Sequence, residues 1–177
     1  KDAFADCTSL KEIEIPASVS QLLPSAGCTA LESIQVSKAN THYSSLDGVL
    51  FNAAGTEILW FPMGKKGDYT LPSTLSAIGD YAFKECSITR FIFPDSFSEI
   101  GQGALMNSKV EEVSLPAQLK LISTGTFQGC TRLKVVRLGE KTELVSDYVF
   151  DGCPLTDLYV DAPYPPVCNT NAFTTKG

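Results

Sequence analysis

The sequence predicts a repeat solenoid, with a parallel β-sheet on one face and turns with short helical or 3-10 segments on the other. Three observations support this class. Phenylalanine and cysteine return at a nearly constant spacing, a short β-prone stretch follows each cysteine, and a proline usually ends that stretch. One such unit cannot bury its own apolar side, so successive units must stack. We therefore expect residues 1–177 to form a single solenoid domain.

The aromatic positions define the period. The repeated residue is phenylalanine, or leucine in one unit, and its last five occurrences are 22, 22, 23 and 23 residues apart: Phe4, Phe83, Leu105, Phe127, Phe150 and Phe173. Three residues later stands cysteine, or serine in one unit, as in Cys86 and Cys130. Residues that recur at this spacing should occupy equivalent places in successive coils.

The stretch after each cysteine has the pattern of a strand with one buried face. In Leu133, Val136 and Leu138 the apolar residues alternate at the end of the stretch, and the intervening residues are free to face solvent. Proline then ends the strand because it lacks an N–H donor, as at Pro94 and Pro116. About a dozen residues remain in each unit to return the chain to the next strand.

Residues 37–68 break the period. Two apolar runs, 47–51 and 58–62, flank a loop that contains Gly55, which predicts a β-hairpin near 47–62. This irregular unit is either a variant coil or a specialised binding element.

The full repeat pattern resembles the BspA-like bacterial leucine-rich repeat, and is most complete from Ile78 to Pro94 and from Ile122 to Leu138. The hairpin of the irregular unit is similar to a variant unit of that family. The resemblance implies a curved leucine-rich-repeat solenoid in an exported or cell-surface bacterial protein, tied to adhesion. It carries over no binding residue. Ser108, Leu105, Gly139 and Asp161 depart from the usual cysteine, phenylalanine and proline positions.

The six cysteines are expected to be free thiols in the core. Cys168 falls in the column otherwise held by isoleucine or valine. The other five share one repeat column: Cys7, Cys28, Cys86, Cys130 and Cys153. Neighbouring Cβ atoms in a stacked column lie about 4.8 Å apart and point the same way. A disulfide needs Cβ atoms about 3.8 Å apart that point towards each other.

Composition and motifs argue against several functions. The net charge of −6 has no basic cluster to offset it, which disfavours nucleic acid as a partner. No apolar run is long enough for a membrane helix. His42 is the single histidine and lies in a polar stretch away from every cysteine, and no phosphate-binding or metal-ligating motif occurs. We therefore predict no enzyme activity, no cofactor and no metal.

The outward positions of the strands are the predicted binding surface. One column contains Ile92, Arg137 and Tyr159, its neighbour contains Arg90, and we expect the sheet face that carries them to be continuous. Tyrosine and arginine are frequent binding anchors. Arg90, Ile92, Arg137 and Tyr159 are therefore the candidate contact residues for a protein or glycan ligand, which the resemblance suggests is host-derived.

Two functions remain open. The leading hypothesis is a binding or adhesion module outside a bacterial cell, and the alternative is a structural spacer with no ligand of its own. Residue 1 enters a unit midway, and only four residues follow Phe173, so we expect a segment of a longer chain whose export signal lies outside it.

Overall fold

The computed structural model describes residues 4–66 and 69–174. Within these residues the chain forms fourteen short strands wound into successive coils. The strands are β1 (Glu12–Ile15), β2 (Ser33–Val36), β3 (Tyr43–Leu46), β4 (Val49–Asn52), β5 (Glu57–Trp60), β6 (Ala77–Ile78), β7 (Arg90–Phe91), β8 (Glu99–Ile100), β9 (Glu112–Ser114), β10 (Leu121–Ile122), β11 (Val135–Leu138), β12 (Leu144–Val145), β13 (Asp157–Val160) and β14 (Val167–Cys168).

The predicted parallel sheet is confirmed. Strands β7, β9, β11 and β13 are parallel neighbours, one from each successive coil. Their register pairs Phe91 with Val113, Val113 with Val136, and Val136 with Leu158, which are residues of one predicted column. The first three of these are buried. Successive side chains along a strand point to opposite faces, so the residues next to these buried positions on each strand face outward.

A second set of parallel strands runs along the coils. Strand β5 and the two-residue strands β6 and β8 are hydrogen-bonded neighbours, as are β10, β12 and β14. The buried residues of the two-residue strands are Ile78, Ile100, Ile122 and Val145, and Ile58 of β5 is buried in register with Ile78. The sequence pattern predicted this column to be apolar, but not to pair as a sheet.

The predicted helical and 3-10 segments are wrong. Within residues 4–66 and 69–174 the return segments are turns, bends and the short second-sheet strands. The reason is a left-handed backbone at two places in each regular coil, because a right-handed helix needs negative φ at every residue. One place is two residues before the phenylalanine column and contains Tyr81, Gly103, Gly125 and Tyr148. The other is directly before the cysteine column and contains Glu85, Asn107, Gly129 and Gly152.

The irregular unit contains the predicted hairpin and takes the place of a coil. Strand β4 is antiparallel to β5, and also to β3 through a turn at Asp47 and Gly48, whose φ angles of 51° and 74° suit a tight hairpin turn. Strand β5 then joins the second sheet, where Ile58 pairs with Ile78. Phe61 enters the aromatic column and stacks on Phe83, with 4.7 Å between ring centroids.

The aromatic column forms the centre of the core. Phe83, Leu105, Phe127 and Phe150 are all 0% or 1% exposed, and the rings of Phe127 and Phe150 are parallel to within 1° at 5.7 Å. Residues 22 or 23 apart therefore occupy equivalent places, as predicted.

The cysteines lie in the predicted columns. Four of the five in the main column are buried, Cys7 is partly buried, and Cys168 pairs in register with Val145 but is exposed. Three of the thiols donate to a carbonyl of the preceding coil: Cys28 Sγ to Phe4 O at 3.0 Å, Cys130 Sγ to Leu105 O at 3.1 Å and Cys153 Sγ to Phe127 O at 3.1 Å. These three thiols satisfy their donors within the protein, which favours the reduced state. The expected core position is wrong for Cys168, because its coil has no further described coil to cover it.

Candidate functional site

All four predicted contact residues lie on or next to one sheet. Arg90 is in β7, Arg137 in β11 and Tyr159 in β13, and Ile92 follows β7 directly. The register pairs Arg137 with Ser114 and with Tyr159, and pairs Arg90 with Glu112. The outward side of β7, β9, β11 and β13, together with Ile92, is called the outer face below.

The expected continuity of this face holds for the four residues but not for the whole chain. In the described residues β1 and β2 form a separate two-stranded sheet, with Glu12 opposite Ser33 and Glu14 opposite Gln35. The irregular unit separates this sheet from the outer face because its first strands run antiparallel to each other. The insertion therefore divides the predicted surface into two parts.

Arg137 and Tyr159 form a preorganised pair at one end of the outer face. The Arg137 guanidinium carbon lies 4.6 Å from the centroid of the Tyr159 ring, within the range of a cation–π contact. Arg137 Nη1 also donates to Asp161 Oδ1 at 2.8 Å. Tyr159 is 45% exposed, so its ring remains accessible to a ligand. The two contacts hold the arginine in one orientation.

The other end of the outer face borders a groove. Ile92 is 79% exposed, and it lines, with Arg90, a groove of about 670 Å³. The remaining lining residues are Tyr69, Thr70, Ser87, Ile88 and Thr89. Arg90 Nη2 lies 3.6 Å from Glu112 Oε2, but both side chains are more than half exposed, so this ion pair contributes little rigidity.

Tyr69 forms part of the wall of the groove. Burial, and secondarily the nearby Asp47 carboxylate, raises the pKa of the Tyr69 phenol to about 12. The ring packs edge-on against Phe61, with 5.1 Å between centroids. Tyr69 therefore remains neutral at physiological pH and presents an aromatic wall.

The two ends are separated by one strand. Two strand spacings, about 10 Å, lie between the β7 and β11 positions, and β9 contributes Ser114 and Glu112 between them. A ligand that contacts both Ile92 and Arg137 must therefore cover several residues. That span suits a macromolecular surface better than a small molecule.

Sequence reasoning missed two members of the site. Asp161 was identified only as a replacement for the strand-ending proline, yet it is the hydrogen-bond partner of Arg137. Its signal was the opposite charge one coil away, 24 residues along the chain. Tyr69 lies in the unit after the irregular hairpin, and nothing in the sequence pattern connects it to the groove.

The predicted absence of metal and catalytic chemistry remains a prediction. Across residues 4–66 and 69–174, no group of three or more histidine, cysteine, aspartate or glutamate side chains is arranged to hold a metal ion. His42 is exposed, and its Nδ1 lies 3.2 Å from Thr41 Oγ1. No helix in the same ranges is long and apolar enough to cross a membrane.

The fold and the outer face define a leucine-rich-repeat solenoid. The family model for the BspA type leucine rich repeat region matches residues 1–53 and 65–175 in six copies. The chain therefore belongs to the BspA-type leucine-rich repeat family. No curated protein sequence matches the chain.

Solved structures share the fold. A leucine-rich repeat protein from Eubacterium ventriosum is 21% identical with a TM-score of 0.72, over 93% of this chain and 58% of that one. A leucine rich cell surface protein from Faecalibacterium prausnitzii is 22% identical with a TM-score of 0.70, over 87% and 48%. The pneumococcal vaccine antigen PcpA is 21% identical with a TM-score of 0.63, over 93% and 47%. The chain thus spans between 47% and 58% of the length of these three structures.

Proposed function

We propose that this chain is a non-enzymatic binding module of an exported or cell-surface bacterial protein, and that it recognises a protein ligand through its outer face. The observation that carries the proposal is the Arg137–Tyr159–Asp161 arrangement on an exposed sheet. Side chains already held in one orientation lose less conformational entropy when a ligand binds. Arginine and tyrosine also dominate the energetics of protein interfaces.

The composition of the outer face supports a protein ligand. Ile92 offers an exposed apolar side chain, Arg137 a cation, and Tyr159 an amphipathic ring, within three neighbouring strand spacings. A glycan would favour flat aromatic rings with many hydrogen-bonding side chains, and here a single tyrosine lies on the strands of the outer face. A glycan ligand is therefore the second outcome that a binding experiment should distinguish.

Family and fold support the surface location. The chain belongs to a repeat family, and two of the matched structures are described as a cell surface protein and a vaccine antigen. Repeat solenoids present extended surfaces that bind macromolecules. The host-derived class of ligand rests on the family resemblance, so it is tested directly below.

A binding screen with outer-face variants tests the proposal. The purified chain is immobilised and exposed to host extracellular-matrix proteins and, separately, to a glycan array. For any protein ligand found, we expect Arg137→Ala and Tyr159→Ala each to weaken the affinity at least tenfold, which corresponds to about 1.4 kcal/mol. Ile92→Ser should weaken it less, because Ile92 lies two or more strands from the arginine and tyrosine.

Arg132→Ala is the matched control. Arg132 is 57% exposed and pairs with Glu111 at 3.4 Å, but it lies in the turn before β11 and outside the outer face. Its substitution should change the affinity less than twofold. If the outer-face variants bind as tightly as the unsubstituted chain, the outer face is not the contact surface. If neither proteins nor glycans bind, the spacer function replaces the proposal.

A further inference from the structure

Among the described coils, one has neither phenylalanine nor leucine in the aromatic column. Three residues before Cys28, where other coils place phenylalanine or leucine, stands Ser25. This coil is in register with its neighbour, because Asp6 N donates to Ala26 O at 3.0 Å, just as Glu85 N donates to Met106 O at 2.8 Å. Ser25 is only 5% exposed. A small polar residue therefore occupies a core position built for an aromatic side chain.

A pocket lies at this position. Its volume is about 200 Å³, and its walls are Pro24, Ser25, Ala26, Trp60, Met63, Tyr81 and Lys84. Trp60 extends from the irregular unit towards Phe4, with 6.5 Å between ring centroids. The pocket volume exceeds the roughly 150 Å³ of an apolar protein cavity that binds benzene. One aromatic ring therefore fits.

The pocket is accessible from solvent. Ala26 is exposed, and Pro24, Tyr81 and Lys84 are partly exposed, whereas Trp60 and Met63 form the buried floor at 2% and 8% exposure. A side chain can enter without displacing the core.

Tyr81, one of the residues that form the pocket wall, has an unfavourable backbone conformation. Its φ is 56°, where the next two coils place Gly103 and Gly125. A left-handed conformation costs a residue with a side chain about 1–2 kcal/mol. The Tyr81 ring lies over Gly103, since a Cβ on that glycine would come within 2.5 Å of Tyr81 Cε1. Gln102 Nε2 donates to the Tyr81 hydroxyl at 3.1 Å. The ring is thus fixed beside the pocket.

We propose that this pocket, the Ser25 pocket, binds one aromatic side chain of a protein partner. The cavity adjoins Ser25, which holds the phenylalanine position of its coil, and its walls supply two aromatic rings and a thioether, which pack well against an aromatic guest. The single charged lining residue, Lys84, is paired with Glu85 at 3.6 Å. The site is separate from the outer face, and the proposal stands without it.

The fluorescence of Trp60 measures binding to the pocket. It is the only tryptophan of the chain, so intrinsic tryptophan fluorescence reports on the pocket floor alone. The probe is N-acetyl-L-phenylalanine amide, and N-acetylglycine amide is the ringless control. We expect a saturable change in emission with the phenylalanine probe at millimolar concentration, since a single side chain offers few contact atoms. The glycine probe should give none.

Two substitutions and a matched control make the test specific. Ser25→Phe restores the column ring and fills the pocket, so the probe should bind at least tenfold more weakly while the melting temperature stays equal or rises. Tyr81→Gly removes a wall and relieves the left-handed strain, so the protein should fold and bind at least fivefold more weakly. Tyr148→Gly makes the same change at the same repeat position, where φ is 59°, away from the pocket. It should bind like the unsubstituted chain.

The outcomes are decisive. The proposal is overturned if the unsubstituted chain shows no saturable change, or if Tyr81→Gly binds the probe as well as Tyr148→Gly does. If Ser25→Phe does not fold, the comparison of these two glycine variants still decides.

Discussion

At the left-handed position before the cysteine column, adding a side chain and removing one should change the stability in opposite directions. Glu85, Asn107, Gly129 and Gly152 occupy equivalent places directly before the cysteine column, with φ between 57° and 73°. Two coils therefore place a side chain where the other two place glycine. Gly152→Ala should destabilise the fold, and Glu85→Gly should stabilise it.

The magnitude follows from two opposing effects. A left-handed conformation costs a residue with a side chain about 1–2 kcal/mol. Glycine, however, gains entropy in the unfolded chain, which offsets about 0.4–1 kcal/mol of that benefit. The difference predicts that each substitution changes the free energy of unfolding by about 1 kcal/mol. Gly152 isolates this backbone effect, because a Cβ there would approach no atom closer than 3.6 Å.

Equilibrium urea unfolding followed by circular dichroism is the assay, with the thermal midpoint as a second measure. For a chain of this size, about 1 kcal/mol corresponds to a shift of roughly 2–4 °C. Glu140→Gly is the matched control, since Glu140 is an exposed turn glutamate without a positive φ. The control should be destabilised. If Glu85→Gly is destabilised to the same extent, the strain assigned to this column is refuted.

Three further predictions concern the core. Phe127→Ala should lower the free energy of unfolding, measured in urea, by about 3–5 kcal/mol, because the ring is fully buried between coils. Phe173→Ala, at a position 40% exposed, should lower it markedly less. Equal decreases in the free energy of unfolding would contradict the stacked column. Thiol titration of the denatured, unreduced chain should find six thiols, and three disulfides would disprove the predicted free cysteines. Burial raises the pKa of the Cys86 thiol from 9.0 to about 12, so its contribution to stability is complete below pH 9 and is lost between pH 9 and 12. Cys86→Ala should make that alkaline loss shallower, and an unchanged slope in pH-dependent unfolding would contradict this assignment.

The repeat columns were predictable from the sequence because register in a solenoid is a property of the period. Once Phe83 and Phe127 are recognised as equivalent, every residue between them has a defined coil position, and β-strand alternation decides whether it faces inward. The outward positions of Arg137 and Tyr159 and the buried positions of the main cysteine column were both obtained in this way. The serine in place of phenylalanine at Ser25, three residues before Cys28, was also visible in the sequence, but the pocket beside it was not.

Only the tertiary structure decided what happens between coils. The contact of Arg137 with Asp161, the path of Trp60 from the irregular unit towards Phe4, and the Tyr81 ring over Gly103 each depend on side-chain direction across neighbouring coils. The left-handed residues belong to the same class, since Tyr81 and Tyr148 carry no local signal for a conformation that favours glycine. Periodicity specifies which residues become neighbours, whereas rotamers, strain and residual space are settled only when the coils are packed together.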